Sequence, residues 1–298
     1  METIFESLIN SYGVKSTNEA KLAIREILQN LILIGLSRAN FFNYASFYGG
    51  TALRIFYGLN RYSEDLDFTL NKQDPSFSLK PFMKSIIDTC ASYGLEVTVD
   101  IKTKKVNTPI ESAFAKFNTY MTFISAKLDG ELTKHIHKDE RLKVKFEVDC
   151  SPSLSFNVEN KRITYPEIAS INVLDLESLF AGKIHAILCR NYKNNVKGRD
   201  FYDFIFFINK GVKPNMVYLK DKLVASKVIK EDDDFSMDVL KKLLLNRFNQ
   251  VDFSKVEQDA KNFTIRSEDL SLYCKELFID CLSRIWVAIK ILCLIAKG

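Results

Sequence analysis

Asp65 and Asp67 stand two residues apart in the stretch DLDFTL. On an extended strand, side chains at i and i+2 point to the same face, so the two carboxylates present their oxygens side by side. Such a pair suits Mg²⁺, a hard cation that takes oxygen ligands and completes its shell with water and substrate phosphate. Upstream, YGGTALRIFYGL offers a second piece of chemistry. Gly49 and Gly50 let backbone N–H groups approach an anion, and a helix starting at Thr51 aims its positive end at the same place. The Thr51 hydroxyl adds a phosphate contact. One end would grip a polyphosphate and the other would hold the metal that bridges it. Arg61 and Ser63 lie between.

These residues need elements to hold them. STNEAKLAIREILQNLILIGLSRA, 16–39, reads as a helix capped by Ser16 or Thr17, with Glu19 in its first turn. ASFY before Gly49 reads as a short strand, and TALRIFYGL as a short helix closed by Gly58. In DLDFTL, Asp65, Asp67 and Thr69 share one face while Leu66, Phe68 and Leu70 share the other, the pattern of a half-buried strand. Residues 77–93 look helical, LEVTVDIK alternates, and 106–128 is ambiguous between strand and loop. RLKVKFEVDCS, 141–151, alternates most cleanly: Val144, Phe146 and Val148 face one way, and Lys143, Lys145, Glu147 and Asp149 the other. DLESLFAGKIHAILCR, 175–190, is an amphipathic helix. RDFYDFIFFI begins another after Gly198, and no convincing strand follows residue 213.

The motif GGTALRIFYGLNRYSEDLDF resembles the first block of the AbiEii/AbiGii-type nucleotidyltransferases, toxins of type IV toxin–antitoxin and phage-defence systems within the DNA polymerase β-type superfamily. The resemblance continues with Glu177 and Lys183 in LESLFAGK and with Arg199, Asp200 and Asp203 in GRDFYD, in the family's order, and spans about 44–210. It implies that Asp65 and Asp67 hold Mg²⁺. It also implies a third carboxylate on the 141–151 strand, with Asp149 favoured and Glu147 the other candidate. Gly49, Gly50, Thr51, Arg61, Ser63, Lys183 and Arg199 become nucleotide ligands. Spacing alone reads Lys183 as a solvated helix residue, whereas the resemblance sets its ammonium against the triphosphate, where charge builds in phosphoryl transfer. Asp200 then orients Lys183 or Arg199, and Asp203 is largely structural. His185 reads as a satisfied core residue.

The expected fold is α+β: a small mixed-sheet nucleotidyltransferase core with N-terminal helices over 1–170, then a helical bundle over 171–298 that contributes Lys, Arg and Asp to the active site. The resemblance implies a Mg²⁺-dependent transfer of a nucleotide from an NTP to RNA, with the tRNA 3′ end as the expected acceptor, blocking translation, and with a cognate antitoxin as partner. Two other readings stand beside it: an NTP-binding module without transfer, and a phosphotransferase acting on protein.

Bulk properties bound these readings. Among 298 residues, 47% are hydrophobic and 27% charged, with 11 Gly and 6 Pro, which leaves material for a real core and little for linkers. The net charge of +5 fits a nucleotide or RNA partner. Two basic stretches, KTKK at 102–105 and KHIHKDERLKVK at 134–145, are candidate paths for an RNA backbone or simply solvated edges. Six scattered cysteines without a CxxC pair, three histidines and an acidic N-terminus point to a reduced, cytoplasmic compartment without a zinc site. The terminal run IWVAIKILCLIAKG, interrupted by Lys290, falls short of a bilayer span and reads as a buried helix.

Overall fold

In the computed structural model, the described residues are all except 1, 103–108, 129, 191–195, 265–269, 271, 272 and 288–298. Most of KTKK and most of the apolar C-terminal run therefore lie outside them. The chain divides into two compact units. The first comprises 1–56, 62–152 and 158–173, and the second comprises 57–61, 153–157 and 174–298.

The first unit is built on a seven-stranded mixed sheet of order β3-β4-β5-β2-β1-β7-β6. Its strands are β1 (Ala45–Tyr48), β2 (Asp65–Leu70), β3 (Val97–Ile101), β4 (Ile110–Asn118), β5 (Arg141–Asp149), β6 (Val158–Ile163) and β7 (Ala169–Leu174). β1 runs antiparallel to β2 and parallel to β7, β2 runs parallel to β5, and β4 is antiparallel to both β3 and β5. The helices of this unit are α1 (Ile4–Asn10), α2 (Thr17–Arg38), α3 (Gly49–Tyr57, whose last residue is counted with the second unit), α4 (Met83–Ser92), α5 (Thr119–Ser125) and α6 (Gly130–Thr133). As expected, Ser16 caps α2, its hydroxyl accepting from the Glu19 N–H at 3.2 Å. The inward residues of β2 and β5, among them Leu66, Phe68, Val144, Phe146 and Val148, are fully buried.

Three features differ from the sequence reading. The ambiguous stretch 106–128 resolves, where described, into β4 followed by α5, with Asn118 capping the helix through the Met121 N–H at 2.9 Å. Strands β6 and β7 carried no expectation; β6 (VENKRI) is an edge strand with a mostly polar composition. Finally, α3 starts at Gly49 rather than Thr51, so strand β1 passes into the helix with no intervening turn.

The second unit is helical apart from the last residue of β7: α7 (Leu176–Cys189), α8 (Gly198–Asn209), α9 (Met216–Ala225), α10 (Met237–Gln250), α11 (Phe253–Lys261) and α12 (Lys275–Val287). Asp175 caps α7 by accepting the Ser178 N–H at 2.8 Å. Its core is aromatic: Phe201, Phe204, Phe248, Phe253 and Phe278 meet in mostly tilted or edge-on pairs. Gly198 lets α8 approach α11, because a Cβ there would overlap the Val256 carbonyl. Among the described residues no helix is long and apolar enough to cross a membrane.

Candidate active site

In the first unit, the glycine pair and the aspartate pair come together. Tyr48, the last residue of β1, is the register partner of Asp67 on β2. The chain then turns directly into α3 through Gly49, whose φ of +85° an L side chain rarely adopts. A Cβ at this position would overlap an Asp67 carboxylate oxygen and stand 3.3 Å from the Asp67 Cβ and Cγ. The Asp67 carboxylate thus lies against the first residue of α3. A helix start carries N–H groups without intrahelical partners and a partial positive charge, so carboxylate and anion-binding end are neighbours.

Thr51 is sealed rather than presented: it is 1% exposed, and its hydroxyl donates to the Asp65 carbonyl at 2.5 Å. This corrects its expected hydroxyl contact to a phosphate; the side chain bolts α3 to β2. Gly50 is buried in the same turn. Ser63 leads into β2, and the Gln29 side-chain amide from α2 donates to the carbonyls of Ser63 and Glu64, both at 3.0 Å. The aspartate strand is therefore fixed at its entry by α2 and at its first residue by α3.

The third carboxylate is a matter of register. β2 and β5 pair in parallel, with Asp65 opposite Lys145, Asp67 opposite Glu147 and Thr69 opposite Asp149. Glu147, the second choice from the sequence, stands beside Asp67, and Asp149 lies one pleat further along. Glu147 accepts from the Ser112 hydroxyl at 2.9 Å and pairs with Lys145 at 2.7 Å. Asp149 accepts the Ser151 N–H at 3.1 Å. Asp65, Asp67 and Glu147 are only part-buried. The donors suit Mg²⁺: hard carboxylates on one face of adjacent strands. Among the described residues no three His, Cys, Asp or Glu side chains already gather as a metal cage.

In the second unit, α7 and α8 bring a different set together. Lys183 Nζ lies 2.7 Å from Asp203 and 3.4 Å from Asp200. Arg190, at the end of α7, also pairs with Asp200. Arg61 reaches Asp203 through two bonds of 2.7 Å, one from Nε and one from Nη2. Three cations share two carboxylates. Asp203 is 0% exposed and Arg61 2%. Burial alone would raise the Asp203 carboxyl, but Arg61 and Lys183 outweigh it and hold the group below the usual carboxylate range. Arg61 is likewise shifted: burial opposes its charge, and Asp203 more than restores it.

Arg61 is therefore an internal counter-ion, which corrects its assignment to the nucleotide; so enclosed a guanidinium has no face left for a ligand. Lys183 is no solvated residue either, with its side chain 15% exposed and both carboxylates beside it. Arg190, which the sequence reading did not single out, is 51% exposed in this cluster. The backbone under it is held by Arg247, which donates to the carbonyls of Ile187 at 2.7 Å, Leu188 at 2.9 Å and Arg190. Arg199 lies with its guanidinium 4.0 Å from the Phe263 ring centre. Glu177 is an exposed first-turn residue of α7. His185 shares a 2.7 Å hydrogen bond with Ser226, and burial, followed by the charge of Lys222, pushes its imidazole down to about 4.

Comparison with known proteins gives a family match and several structural likenesses. The family model described as nucleotidyl transferase AbiEii toxin, type IV TA system, matches residues 31–271. The crystal structure of JHP933 from Helicobacter pylori is 18% identical, with a TM-score of 0.50 over 92% of this chain and 95% of that one. MenT4, a nucleotidyltransferase toxin from Mycobacterium tuberculosis, is 14% identical, with a TM-score of 0.47 over 94% and 98% of the two chains. No curated protein matches the sequence significantly.

Proposed function

We propose, for a chain that belongs to the nucleotidyl transferase AbiEii toxin family of type IV toxin–antitoxin systems, that it transfers a nucleoside monophosphate from an NTP to an RNA 3′ hydroxyl, with a tRNA end as the acceptor and arrest of translation as the result. The observation that carries this reading is the Asp67 carboxylate lying against Gly49 at the start of α3. A phosphate held by the backbone N–H groups of that helix start would sit next to the carboxylate pair.

In this reading Asp65 and Asp67 hold Mg²⁺, with Glu147 as the register-matched third carboxylate. Bound there, Mg²⁺ supplies charge neutralisation on the phosphates and lowers the cost of ionising the attacking hydroxyl. Gly49 and Gly50 bring the backbone close to the phosphates. Within the second unit, Asp200 and Asp203 hold Lys183, and Asp200 also pairs with Arg190, a cationic group of the kind that neutralises a polyphosphate. The acceptor oxygen bonds to the α-phosphorus, the bond to the bridging oxygen of the β-phosphate breaks, and pyrophosphate leaves with the electron pair. The hydroxyl proton passes to solvent.

The test is incubation of the purified chain with Mg²⁺, bulk tRNA and NTPs labelled at either the α or the γ position. Label from the α position entering RNA is the expected result. Binding without transfer, or γ label entering protein, would replace this reading with a nucleotide-binding module or a phosphotransferase.

A further inference from the structure

The polar face that carries the aspartate pair continues across β5 and β4 as a cationic strip. From Glu147 towards the start of β5, the same-face residues are Lys145, Lys143 and Arg141. Their register partners on β4 are Phe114, Lys116 and Asn118. At about 3.3 Å per residue, the strip runs about 20 Å from Glu147 to Arg141. It ends at a cavity of about 180 Å³ whose walls include Lys116, Arg141, Thr98 and Met121.

The charges on this face are not balanced among themselves. Lys145 is taken by Glu147 at 2.7 Å, and Lys116 pairs with Asp100 on β3. Lys143 and Arg141 are exposed and have no acidic partner among the described residues. Lys143 and Lys116 stand directly opposite one another. Like charges at that position destabilise a sheet, and an external anion along the strip would relieve them. Phe114 is half-buried among these cations, a flat apolar surface beside Lys145 and Lys116. Cations tracking a backbone, interleaved with a ring on which a base can stack, form the pattern that binds single-stranded nucleic acid without reading its sequence.

We infer that the β4–β5 face, through Lys116, Lys143, Arg141 and Phe114, is the docking surface for the single-stranded end of the acceptor RNA. The inference rests on the nucleotidyl-transfer reading for the direction of the strand, because the strip begins beside the Asp67–Glu147 pair. The RNA backbone follows β5, a base stacks on Phe114, and a nucleotide further from the reacting hydroxyl enters the cavity between Lys116 and Arg141.

The experiment measures binding of a fluorescent 12-nucleotide single-stranded RNA to the full chain across a salt series, together with transfer kinetics. Arg141→Glu/Lys143→Glu is expected to weaken RNA binding at least tenfold. It should also flatten the salt dependence by about 0.7 in log–log slope for each RNA phosphate that the variant no longer neutralises. Phe114→Ala is expected to weaken binding while leaving that slope unchanged. In transfer, the KM for RNA rises and the KM for NTP stays put. The neutral pair Arg141→Gln/Lys143→Gln, which keeps exposed polar side chains, should show a smaller loss in the same direction even if charge reversal disturbs folding. RNA affinity and KM within twofold of the parent in all these variants would overturn the docking surface, even with transfer intact. Conversely, salt-dependent RNA binding that these variants abolish, in a parent chain that transfers no nucleotide, would overturn the transfer reading and leave the surface standing.

Discussion

Gly49 and Asp67 are in close contact: a Cβ at position 49 would overlap an Asp67 carboxylate oxygen and crowd its Cβ and Cγ. Strand β1 ends opposite Asp67, and helix α3 begins one residue later at a positive φ. Position 49 is thus constrained twice, by backbone conformation and by its neighbour. Gly49→Ala should cost about 1–3 kcal/mol from the left-handed backbone alone. It should also displace Asp67 and abolish transfer. Thermal unfolding and the labelled-NTP assay, run on one preparation, check both effects.

Removing charge without changing shape tests the proposed role of the carboxylate pair. Asp67→Asn and Asp65→Asn keep the strand face polar and part-buried, so surface-like stability changes of within about 0.5 kcal/mol are expected. Nucleotide transfer should fall to background. Full activity in a normally folded Asp67→Asn protein would remove the carboxylate pair from the mechanism. Glu147→Gln against Asp149→Asn then decides the third carboxylate, with the larger loss expected at Glu147 because it is the register partner of Asp67.

The Arg61–Asp203 pair predicts a stability effect. Arg61→Met leaves the Asp203 carboxylate buried with one of its two partners gone. Breaking such a pair costs about 3–5 kcal/mol. Arg61→Met/Asp203→Leu removes both charges and should recover part of that loss, as read from denaturant midpoints. Lys183 is attached to the same carboxylates, so Lys183→Ala should lower stability as well as transfer.

Acid sensitivity follows from two groups. His185 titrates near 6.5 when unfolded but is held down to about 4 in the fold. Between those values the unfolded chain binds the extra proton, so stability falls as pH drops from about 6.5 to 4. His185→Asn should flatten that part of the curve. Asp203 acts lower: its native carboxyl is held below the ordinary range of about 4, so its contribution is full above that pH and is lost on further acidification. Denaturant titrations at pH 7, 5.5, 4.5 and 3.5 separate the two.

Much of this arrangement was legible in the sequence where the signal is local. The Ser16 cap, the ASFY strand and the two alternating strands 65–70 and 141–149 follow from period and capping chemistry, and all are present. What was not legible depends on partners far along the chain. An arginine four residues before an Asp-x-Asp reads as a ligand; that it is enclosed by a carboxylate 142 residues later is a tertiary fact. Whether Glu147 or Asp149 neighbours Asp67 is set by strand register, which alternation cannot encode because both lie on the same face. The Thr51 hydroxyl looked available until the strand carbonyl it meets was in place.

The short segment 57–61 groups with the helices rather than with the sheet that flanks it in sequence. Tyr57 donates to the Leu174 carbonyl at 2.9 Å, Tyr202 to the Asn60 carbonyl at 3.1 Å, and Arg61 supplies the counter-ion of Asp203. The helical unit is consequently not a cassette that recombination or a protease can detach with one cut. A fragment starting at residue 174 would carry Asp203 into its interior without the Arg61 counter-ion that the early loop supplies.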